Sequence, residues 1–498
     1  MVVAERRFII LSWTGRSFHE HRRGGDRRTF DNPFAEGAEH IDTDRYETTI
    51  SYQKKWGLDR KFYITIGYVS HRRDATNDTY VGDCLALDWD GDGTADEIYP
   101  GSNFLSPYIA DEDIYVLDLN YSFPVGDRHT LLAGIQYRRS ELEEEGMYVD
   151  PGAQDQINAG IVTSLGQVAY KAKSEKSADD WGIYLQNEFK ITGKLELVVG
   201  ARYDWHSSED SFAGSGDVAP REPVKTEYDE ESFNPRVALS YKATEALTLR
   251  SSVGTGFRVP FSFAEDAHLC SGSPRIWKPG DLKPERSLSY NLSADYVQER
   301  YTLSASIFRT ELENKIGLVD AGPRAKALGY DYEWQNIADA YTQGIELSSR
   351  ISLTPDWILS SSLTYTDAQY KDKREDWKDT PYYEISKYIS RVPEYTAGVN
   401  LEYNNPAGWS WTLDCDYTGE MYIDYLVGEE ERNIKRTDPF WVINTRLAKE
   451  FVDKGVTLFV GAKNLLNEVQ EDKRLDDSAF IYAPFVGRII YAGMSVKF

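Results

Sequence analysis

Residues 486–498 (VGRIIYAGMSVKF) alternate apolar residues with small or polar ones up to the last residue. Successive side chains of a β-strand point to opposite faces, so an extended backbone sorts this stretch into two sides. The apolar side consists of Ile490, Ala492, Met494, Val496 and Phe498. Gly493, Ser495 and Lys497 take the other side. The pattern predicts a strand that has one face against lipid and one face against water.

The composition fits a sheet that is closed on itself and spans a membrane. The 498 residues include 34 Tyr and 12 Trp, although the mean hydropathy is only −0.54. The chain has no run near the roughly 18 consecutive apolar residues of a membrane-spanning helix. A transmembrane barrel explains both facts, because only every second residue faces lipid, the lumen is polar and aromatic girdles lie at each interface.

Strand-like segments and connections of two lengths alternate along the chain. In residues 195–205, for example, apolar residues at odd positions oppose mostly polar or small residues at even positions. Short polar turns are expected near residues 57–59, 125–127, 192–193, 243–245, 299, 354–355, 404–407 and 453–454. Long loops are expected at residues 72–111, 141–178, 207–231, 258–285, 312–342, 368–392, 419–436 and 467–483.

Short turns on one side and long loops on the other are typical of an outer-membrane barrel. We therefore predict an all-β protein, a transmembrane antiparallel β-barrel of about 18 strands with short periplasmic turns and long extracellular loops. The first strand is expected at residues 6–15 and the last at residues 486–498. A soluble β-sandwich or propeller is the alternative, but its loops would be more even in length.

The net charge and the cysteine spacing argue against several classes of partner and site. A formal net charge of −25 argues against nucleic acid, because binding to phosphates requires clustered Lys and Arg. An excess of acidic residues is compatible with long, solvated loops and with the binding of divalent cations. Cys84, Cys270 and Cys415 have neither metal-binding nor redox spacing. Cys84 and Cys270 both fall in expected extracellular loops, so a disulfide between them is left open.

Several segments resemble the TonB-dependent outer-membrane receptors. Residues 254–260 (GTGFRVP) and 282–287 (LKPERS) resemble a "GTGFR-x-P … L-x-PE" stretch of that family, and residues 464–467 (NLLN) resemble its "NL-[FL]-N". The residues that carry the resemblance are Gly254, Gly256, Phe257, Arg258, Pro260, Pro284, Glu285, Asn464, Asn467 and the closing Phe498. We expect these residues to build the barrel rather than to bind a ligand, because Gly allows close packing and Pro marks strand ends.

The chain departs from the family pattern at its N-terminus. The resemblance implies a plug domain that fills a 22-stranded barrel, preceded by a short box that contacts the energising partner. Nothing in the sequence matches either element, and the first residues do not resemble a secretory signal. We therefore expect residues 1–498 to be a single, partial barrel domain with about 18 of the 22 strands. On this hypothesis the natural reading frame is longer or split. Otherwise the assignment to outer-membrane barrels is wrong.

Residues 88–97 (DWDGDGTADE) carry the one constellation with a specific chemistry. The D-x-D-x-D-G spacing folds several oxygens onto one centre, as Ca²⁺ requires. The expected ligands are Asp88, Asp90, Asp92, Thr94 (through its carbonyl), Asp96 and Glu97. Tyr99 stands where an EF-hand has its bidentate Glu, so the loop is more similar to extracellular calcium-binding repeats. The expected role of Ca²⁺ is structural, and a solvated acidic loop is the alternative.

Two weaker groups are candidates for contact with a ligand. Glu265, Asp266 and His268 lie in an expected outer loop, where acid and imidazole could bind metal or simply be solvated. Arg22 and Arg23 begin a basic patch that could attract an anionic chelate or offset neighbouring acids. The sequence contains no nucleophile elbow, phosphate-binding Gly loop or paired His motif, so we do not expect an enzyme.

The resemblance implies a receptor barrel for energy-dependent uptake of a scarce nutrient chelate. A ferric siderophore is the first expectation, followed by cobalamin or haem. The implied partners are outer-membrane lipid, the nutrient chelate, the barrel-assembly machinery and an inner-membrane energising complex that acts through a plug. Two alternatives stay open: a passive diffusion porin of about 18 strands, and a calcium-dependent surface binding protein. A porin has no need of the GTGFR and LKPER segments.

Overall fold

The computed structural model describes residues 6–22, 39–57, 59–80, 84–87, 97–100, 103–149, 169–215, 224–260, 276–327, 332–427, 431–470, 482–484 and 486–497. Most of these residues are in strands. In chain order the strands are β1 (Arg6–Arg22), β2 (Glu39–Trp56), β3 (Arg60–Tyr80), β4 (Cys84–Leu87), β5 (Glu97–Pro100), β6 (Asn103–Val125), β7 (His129–Val149), β8 (Ala169–Lys190), β9 (Leu195–Ser215), β10 (Val224–Lys242), β11 (Leu247–Arg258), β12 (Ile276–Trp277), β13 (Glu285–Val297), β14 (Tyr301–Asp320), β15 (Tyr332–Thr354), β16 (Trp357–Tyr370), β17 (Tyr395–Asn404), β18 (Trp409–Thr418), β19 (Tyr422–Val427), β20 (Glu431–Arg436), β21 (Phe440–Phe451), β22 (Val456–Lys463) and β23 (Ile489–Val496). The helical elements of the described residues are α1 (Pro323–Ala327) and 3₁₀ turns at Glu375–Trp377, Tyr383–Ile385 and Val452–Lys454.

One large antiparallel sheet dominates the structure. It has 19 strands, one of which is the two-residue β12 that pairs in parallel with β15. The other 18 strands follow one another in chain order, each antiparallel to the next, which confirms the predicted antiparallel sheet. The hairpins β4–β5 and β19–β20 form two separate small sheets. Within the described residues, β1 pairs only with β2, and β23 pairs only with β22.

The sheet has a turn end and a loop end. The expected short turns are all found, and together they define the turn end: they join β2 to β3, β6 to β7, β8 to β9, β10 to β11, β13 to β14, β15 to β16, β17 to β18 and β21 to β22. Gly408, in the turn that joins β17 to β18, shows how tightly this end is built. Its φ is 85°, and a Cβ there would lie 2.5 Å from the backbone oxygen of Glu450, so glycine suits this position best.

At the loop end the strands continue further than predicted. β3 extends to Tyr80 and β7 to Val149, well inside the expected loops 72–111 and 141–178. β1 likewise continues to Arg22 instead of ending at residue 15, whereas the last strand is limited to Ile489–Val496. An alternating apolar pattern is expected only where one face of a strand contacts lipid. Backbone hydrogen bonds between strands form with or without lipid. Strands therefore stay paired beyond the level at which the side-chain pattern fades.

The two faces of the sheet differ in polarity. We call the face with exposed apolar side chains the outward face, and the opposite one the inward face. Leu185 on β8 is 56% exposed and Leu292 on β13 is 52% exposed, although both are aliphatic. In the last strand Ile490 and Met494 are 72% and 63% exposed, so the predicted apolar face of this strand is confirmed. Exposed aliphatic rows of this kind are expected where a barrel contacts lipid.

Aromatic side chains form two outward bands. Near the turn end, the rings of Trp56 and Tyr121 lie 6.0 Å apart, and those of Trp357 and Tyr403 lie 4.7 Å apart. Nearer the loop end, corresponding pairs are Tyr137 with Trp181 at 4.4 Å and Tyr417 with Trp441 at 4.8 Å. Two such bands match the girdles that mark the two interfaces of a membrane. Separately, the described residues contain no helix that is both long and apolar enough to cross a membrane.

Candidate functional site

Hydrogen-bonded polar side chains cross the inward face of the sheet between β6 and β10. Gln136 on β7 donates to the Asp118 carboxylate on β6 at 3.1 Å, and Arg202 on β9 donates to Gln136. Arg202 also donates through Nε to Asp204 at 2.5 Å, and Asn234 on β10 donates to the other Asp204 oxygen at 3.0 Å. We call these five side chains the polar belt. Each charged group in it has a partner, as polar groups away from bulk water require.

The polar belt crosses β8 at a glycine. This strand lies between β7 and β9, and a Cβ on Gly182 would lie only 2.0 Å from Nη2 of Arg202. A glycine inside a strand often marks the close approach of another group. Here it leaves the space through which the guanidinium of Arg202 reaches Gln136. The belt therefore depends on the absence of a side chain as much as on the polar groups themselves.

A second set of inward groups is buried beyond the loop-end aromatic band. Tyr108 on β6 donates to Glu144 on β7 at 2.6 Å, and Nζ of Lys176 on β8 lies 3.3 Å from the other Glu144 oxygen. Asp210 on β9 forms an ion pair with Lys278, which belongs to the connection between β11 and β13. We call Glu144, Lys176, Asp210 and Lys278 the charged cluster. Their burial, with Glu144 fully inaccessible, is tolerable only because opposite charges meet.

Lys278 is the member of the cluster whose proton affinity is most affected by its surroundings. Burial lowers the pKa of its ammonium to about 7, and nearby Lys176 acts in the same direction, whereas Glu144 raises it. The contact with the Asp210 carboxylate favours the charged form of Lys278 and opposes this lowering. The ammonium also lies 5.8 Å from the ring centre of Tyr228. The ion pair with Asp210 is therefore lost when the Lys278 ammonium gives up its proton.

The connection that carries Lys278 is attached to the inward wall by further contacts. Tyr228 on β10 donates to the Pro279 carbonyl at 2.7 Å. Leu282 packs with Tyr228, Ile316 and Trp334 in one buried cluster. We call residues 276–284 the seated segment. Because it combines a buried ion pair, a hydrogen bond and apolar packing, this segment is held against the barrel wall at the loop end.

The residues that resemble the receptor motifs contact other parts of the chain. Arg258 and Glu285 face each other across β11 and β13, with Nε 2.8 Å from the carboxylate. Glu285 also accepts from the backbone N–H of Ile316 at 2.7 Å. Pro260 and Pro284 are buried where the two strands begin or end. Gly254, Gly256 and Phe257 lie within β11 itself.

The asparagines of the NLLN segment shape the chain after β22. Asn464 and Asn467 have φ values of 49° and 60°, a region in which Asn is tolerated better than most residues. The Asn464 amide donates to the carbonyls of Glu468 at 2.6 Å and Val486 at 3.1 Å. Asn467 accepts from the backbone N–H of Arg488 at 2.9 Å. These contacts hold the approach to the last strand.

Comparison with known proteins identifies the family of this barrel. The family described as "TonB dependent receptor-like, beta-barrel" matches residues 7–465. The chain belongs to this TonB-dependent receptor family. Similar proteins are the iron-regulated outer membrane virulence protein of Vibrio cholerae serotype O1 (strain El Tor Inaba N16961; 24% identity over 307 residues), the ferrienterobactin receptor of Escherichia coli K12 (21% over 319) and the vitamin B12 transporter BtuB of Photobacterium profundum (24% over 324). Each match covers 60% of this chain but only 39%, 37% and 47% of the relative, so the chain spans less than half their length.

Solved structures show the same fold for this receptor barrel. The FrpB iron transporter of Neisseria meningitidis (F5-1 variant) superposes with a TM-score of 0.67 at 17% identity, covering 99% of this chain and 70% of the transporter. The ferric-catecholate import receptor Fiu of Escherichia coli K12 gives 0.66 at 14%, covering 98% and 72%. The fold is thus a transmembrane antiparallel β-barrel, and the protein is located in the bacterial outer membrane. The family is made up of receptors and transporters, not enzymes.

Most side chains of this receptor barrel that were predicted to bind metal or ligand lie outside the described residues: Asp88, Asp90, Asp92, Thr94, Asp96, Arg23, Glu265, Asp266 and His268. Cys270 and Phe498 also lie outside them. The backbone of Glu97 pairs with Leu87 in the β4–β5 hairpin, and Arg22 pairs with Glu39. In the part of the chain that the structure describes, no three His, Cys, Asp or Glu residues are grouped to hold a metal ion. The calcium and ligand sites stay predictions.

The polar belt and the charged cluster were not anticipated from the sequence of this receptor barrel. Residues 141–178 and 207–231 were expected to be loops, so Glu144, Lys176 and Asp210 were not considered as wall residues. A signal was nevertheless present, because residues 204, 206, 208 and 210 are polar at every second position of β9, and all are buried. A strand that continues above the membrane keeps polar residues at every second position, but its opposite face is no longer apolar.

Proposed function

We propose that this chain forms the barrel of an outer-membrane receptor for energy-dependent uptake of a scarce nutrient chelate. A ferric siderophore is the first candidate ligand, and cobalamin or haem is next. Membership of the TonB-dependent receptor family over residues 7–465 carries the proposal. Similar proteins include a ferrienterobactin receptor and a vitamin B12 transporter, which supports a siderophore or cobalamin as the ligand.

The described wall suits binding and passage rather than chemistry. The inward face presents paired polar groups, so a hydrated ligand could lie against it without stripping water from unpaired charges. The seated segment (residues 276–284) lies against the inward wall at the loop end, where a ligand from outside would arrive. On this proposal, outer connections capture the chelate, and an inner-membrane energising complex acts through a plug domain. Outer-membrane lipid and the barrel-assembly machinery complete the set of proposed partners.

Calcium in the acidic loop 88–97 is part of the same proposal as a structural ion. Several carboxylates at D-x-D-x-D-G spacing repel one another unless a cation neutralises them. The hairpin β4–β5 brings the two ends of this loop together, since Leu87 pairs with Glu97. Calorimetric titration of the purified protein with Ca²⁺, compared with an Asp90→Asn variant, tests this role. Equal heats for both proteins would contradict it.

Uptake by living cells tests the proposed function. The gene is deleted from the source bacterium and restored on a plasmid, and cells are given ⁵⁵Fe-labelled siderophores of several classes, labelled cobalamin or haem. We expect the restored gene alone to support accumulation of one ligand class, and a protonophore to abolish that accumulation. Ligand entry that is insensitive to the protonophore, together with stable open-channel conductance in planar bilayers, would contradict the proposal and favour a diffusion porin.

A further inference from the structure

Three side chains on the inward face have an arrangement that binding and passage do not require. Asp180 on β8 and His206 on β9 are cross-strand partners, one position nearer the loop end than Trp181 and Trp205. Nδ1 of His206 lies 2.6 Å from Oδ1 of Asp180, and its Nε2 lies 2.9 Å from Oγ of Ser208. A serine, an imidazole and a carboxylate in one hydrogen-bonded series are the parts of a serine hydrolase site, whatever their order in the chain.

The two partners of His206 select its tautomer. A carboxylate can only accept hydrogen bonds, so Nδ1 of a neutral His206 carries the proton and donates to Asp180. Nε2 then has a lone pair and accepts from the Ser208 hydroxyl. With this pattern an imidazole can take the proton of a serine as the serine oxygen attacks a carbonyl carbon. The reversed tautomer would lack a base on the serine side.

The strands themselves hold the three groups in place. His206 and Ser208 are two residues apart on β9, so their side chains lie on the same face. The ladder between β8 and β9 fixes Asp180 beside His206. His206 is 4% exposed and Ser208 is 6% exposed, so little water competes for their hydrogen bond. A site on strands is positioned more precisely than a site on loops.

The wall beside Ser208 has room for a small acyl group. On the side of β8, the row of cross-strand partners runs from Ser208 to Ala178 and on to Ser140 of β7. Both of these side chains are small, yet they are only 2% and 6% exposed. Their burial therefore comes from groups that stand over the wall and not from large neighbours within it.

The seated segment is attached on the other side of Ser208. Tyr228 on β10 is the cross-strand partner of Ser208 and donates to the Pro279 carbonyl at 2.7 Å. Asp210, two residues beyond Ser208 on the same face, forms the ion pair with Lys278. Because Ser208 is buried, a substrate can reach it only when this segment leaves. The Tyr228 hydroxyl, which already binds one carbonyl oxygen, then becomes available to bind that of a substrate.

We propose that Asp180, His206 and Ser208 form a hydrolytic site for carboxylic esters with a small acyl group, and that the seated segment covers this site until it is released. The activity goes beyond the proposed uptake and is not supplied by membership of the receptor family. The substrate class follows from two features. Acyl transfer is the chemistry of a Ser-His-Asp series, and the small side chains of Ala178 and Ser140 limit the space for the acyl group.

The reaction is an acyl transfer in two steps, with water as the second reactant. Oγ of Ser208 attacks the ester carbonyl carbon while its proton moves to Nε2 of His206, and the Tyr228 hydroxyl binds the carbonyl oxygen. The bond from the carbonyl carbon to the alcohol oxygen breaks, and Nε2 passes its proton to the departing alcohol. Water then attacks the acylated Ser208 and gives a proton to Nε2, which returns it to Oγ as the acid leaves. Asp180 orients the imidazole throughout.

Covalent labelling with a fluorophosphonate tests the proposal. The full chain in detergent is treated with fluorophosphonate–rhodamine, which reacts with base-activated serines, and the labelled peptide is identified by mass spectrometry. We expect slow labelling of Ser208 in the unchanged protein and faster labelling in Asp210→Ala, which frees the seated segment. His206→Gln should slow labelling about 10²–10⁴-fold, because it removes the base. Hydrolysis of p-nitrophenyl acetate should follow the same order.

Ser207→Ala is the matched control, because Ser207 is the adjacent hydroxyl on the outward face. It should leave labelling and hydrolysis unchanged, whereas Ser208→Ala should abolish both. Absence of label on Ser208 in both the unchanged protein and Asp210→Ala would overturn the proposal, and so would equal labelling in His206→Gln. Labelling without hydrolysis would overturn the esterase activity. Heat-modifiable migration on gels checks that each variant is folded; the unchanged protein carries the test if a variant is not.

Discussion

The turn end and the loop end of this barrel are held together in different ways. At the turn end, each pair of strands is joined by a tight turn whose shape neighbouring residues set, as at Gly126 with φ of 65°. At the loop end, groups far apart in sequence meet, such as Asp210 with Lys278 and Glu144 with Lys176. The contrast teaches that damage at the turn end should stay within one turn and the strand beside it. Damage at the loop end should instead release a long connection.

The largest effect is expected from Asp210→Ala at the loop end. Below pH 7, where the Lys278 ammonium is charged, the change leaves it buried without its carboxylate, which typically costs about 3–5 kcal/mol. Calorimetric unfolding in detergent should show the loss, and protease should cut the seated segment (residues 276–284) faster. The matched control is Glu209→Ala, whose partner Lys225 is 60% exposed; an exposed pair contributes about 0–1 kcal/mol. Equal losses in the two variants would contradict the distinction between buried and exposed pairs.

A smaller and more local effect is expected from Gly408→Ala at the turn end. The new Cβ would meet the Glu450 carbonyl oxygen at 2.5 Å with φ at 85°, and such strain costs about 1–3 kcal/mol. The same calorimetric measurement checks it. Gly193→Ala, where no atom lies within 4 Å of the added Cβ, should be neutral. Faster cleavage of the seated segment in Gly408→Ala would show that the two ends are coupled after all.

Over a single pH unit, the smallest effect is a pH dependence confined to the loop end. The pKa of Lys278 is lowered from 10.5 to about 7 when the segment is seated, so between these values the released segment binds the extra proton. The free energy of attaching the seated segment to the wall therefore becomes more favourable as pH rises from 7 towards 10.5, by at most about 1.4 kcal/mol per pH unit. Protease cleavage of residues 276–284, relative to a Lys278→Met variant at each pH, measures the slope. A cleavage rate that does not change between pH 7 and 10 would show that contact with Asp210 cancels or outweighs burial.

The same contrast explains which parts of the fold could be predicted. The turns were correct because Gly, Asp and Lys at residues 57–59 or 453–454 act on their own backbone. The antiparallel sheet and the outward face followed from apolar alternation, as in Leu185 and Met494. Both signals are local, since each depends on residues within a few positions of one another.

The loop end and the inward contacts escaped prediction for a physical reason. No pattern within β9 tells which cation will meet Asp210, because Lys278 approaches from another connection. The role of Gly182 could not be predicted either, since it depends on the side chain of Arg202, which reaches over from the neighbouring strand. The strand ends above the membrane were underestimated, because apolar alternation disappears there while backbone pairing continues. The ligand and metal residues predicted from the sequence therefore lie in the expected loops and not on the wall.

The strict alternation of faces makes this wall sensitive to the length of its strands but not of its loops. Deleting one residue in the middle of β9 would shift every side chain beyond it to the other face. Arg202 and Asp204 would then face hydrocarbon, and Tyr203 and Trp205 would face the lumen. Removing two residues would restore the faces. Insertions between strands at the loop end leave the faces unchanged, so length variation during evolution should accumulate there while the wall keeps its spacing.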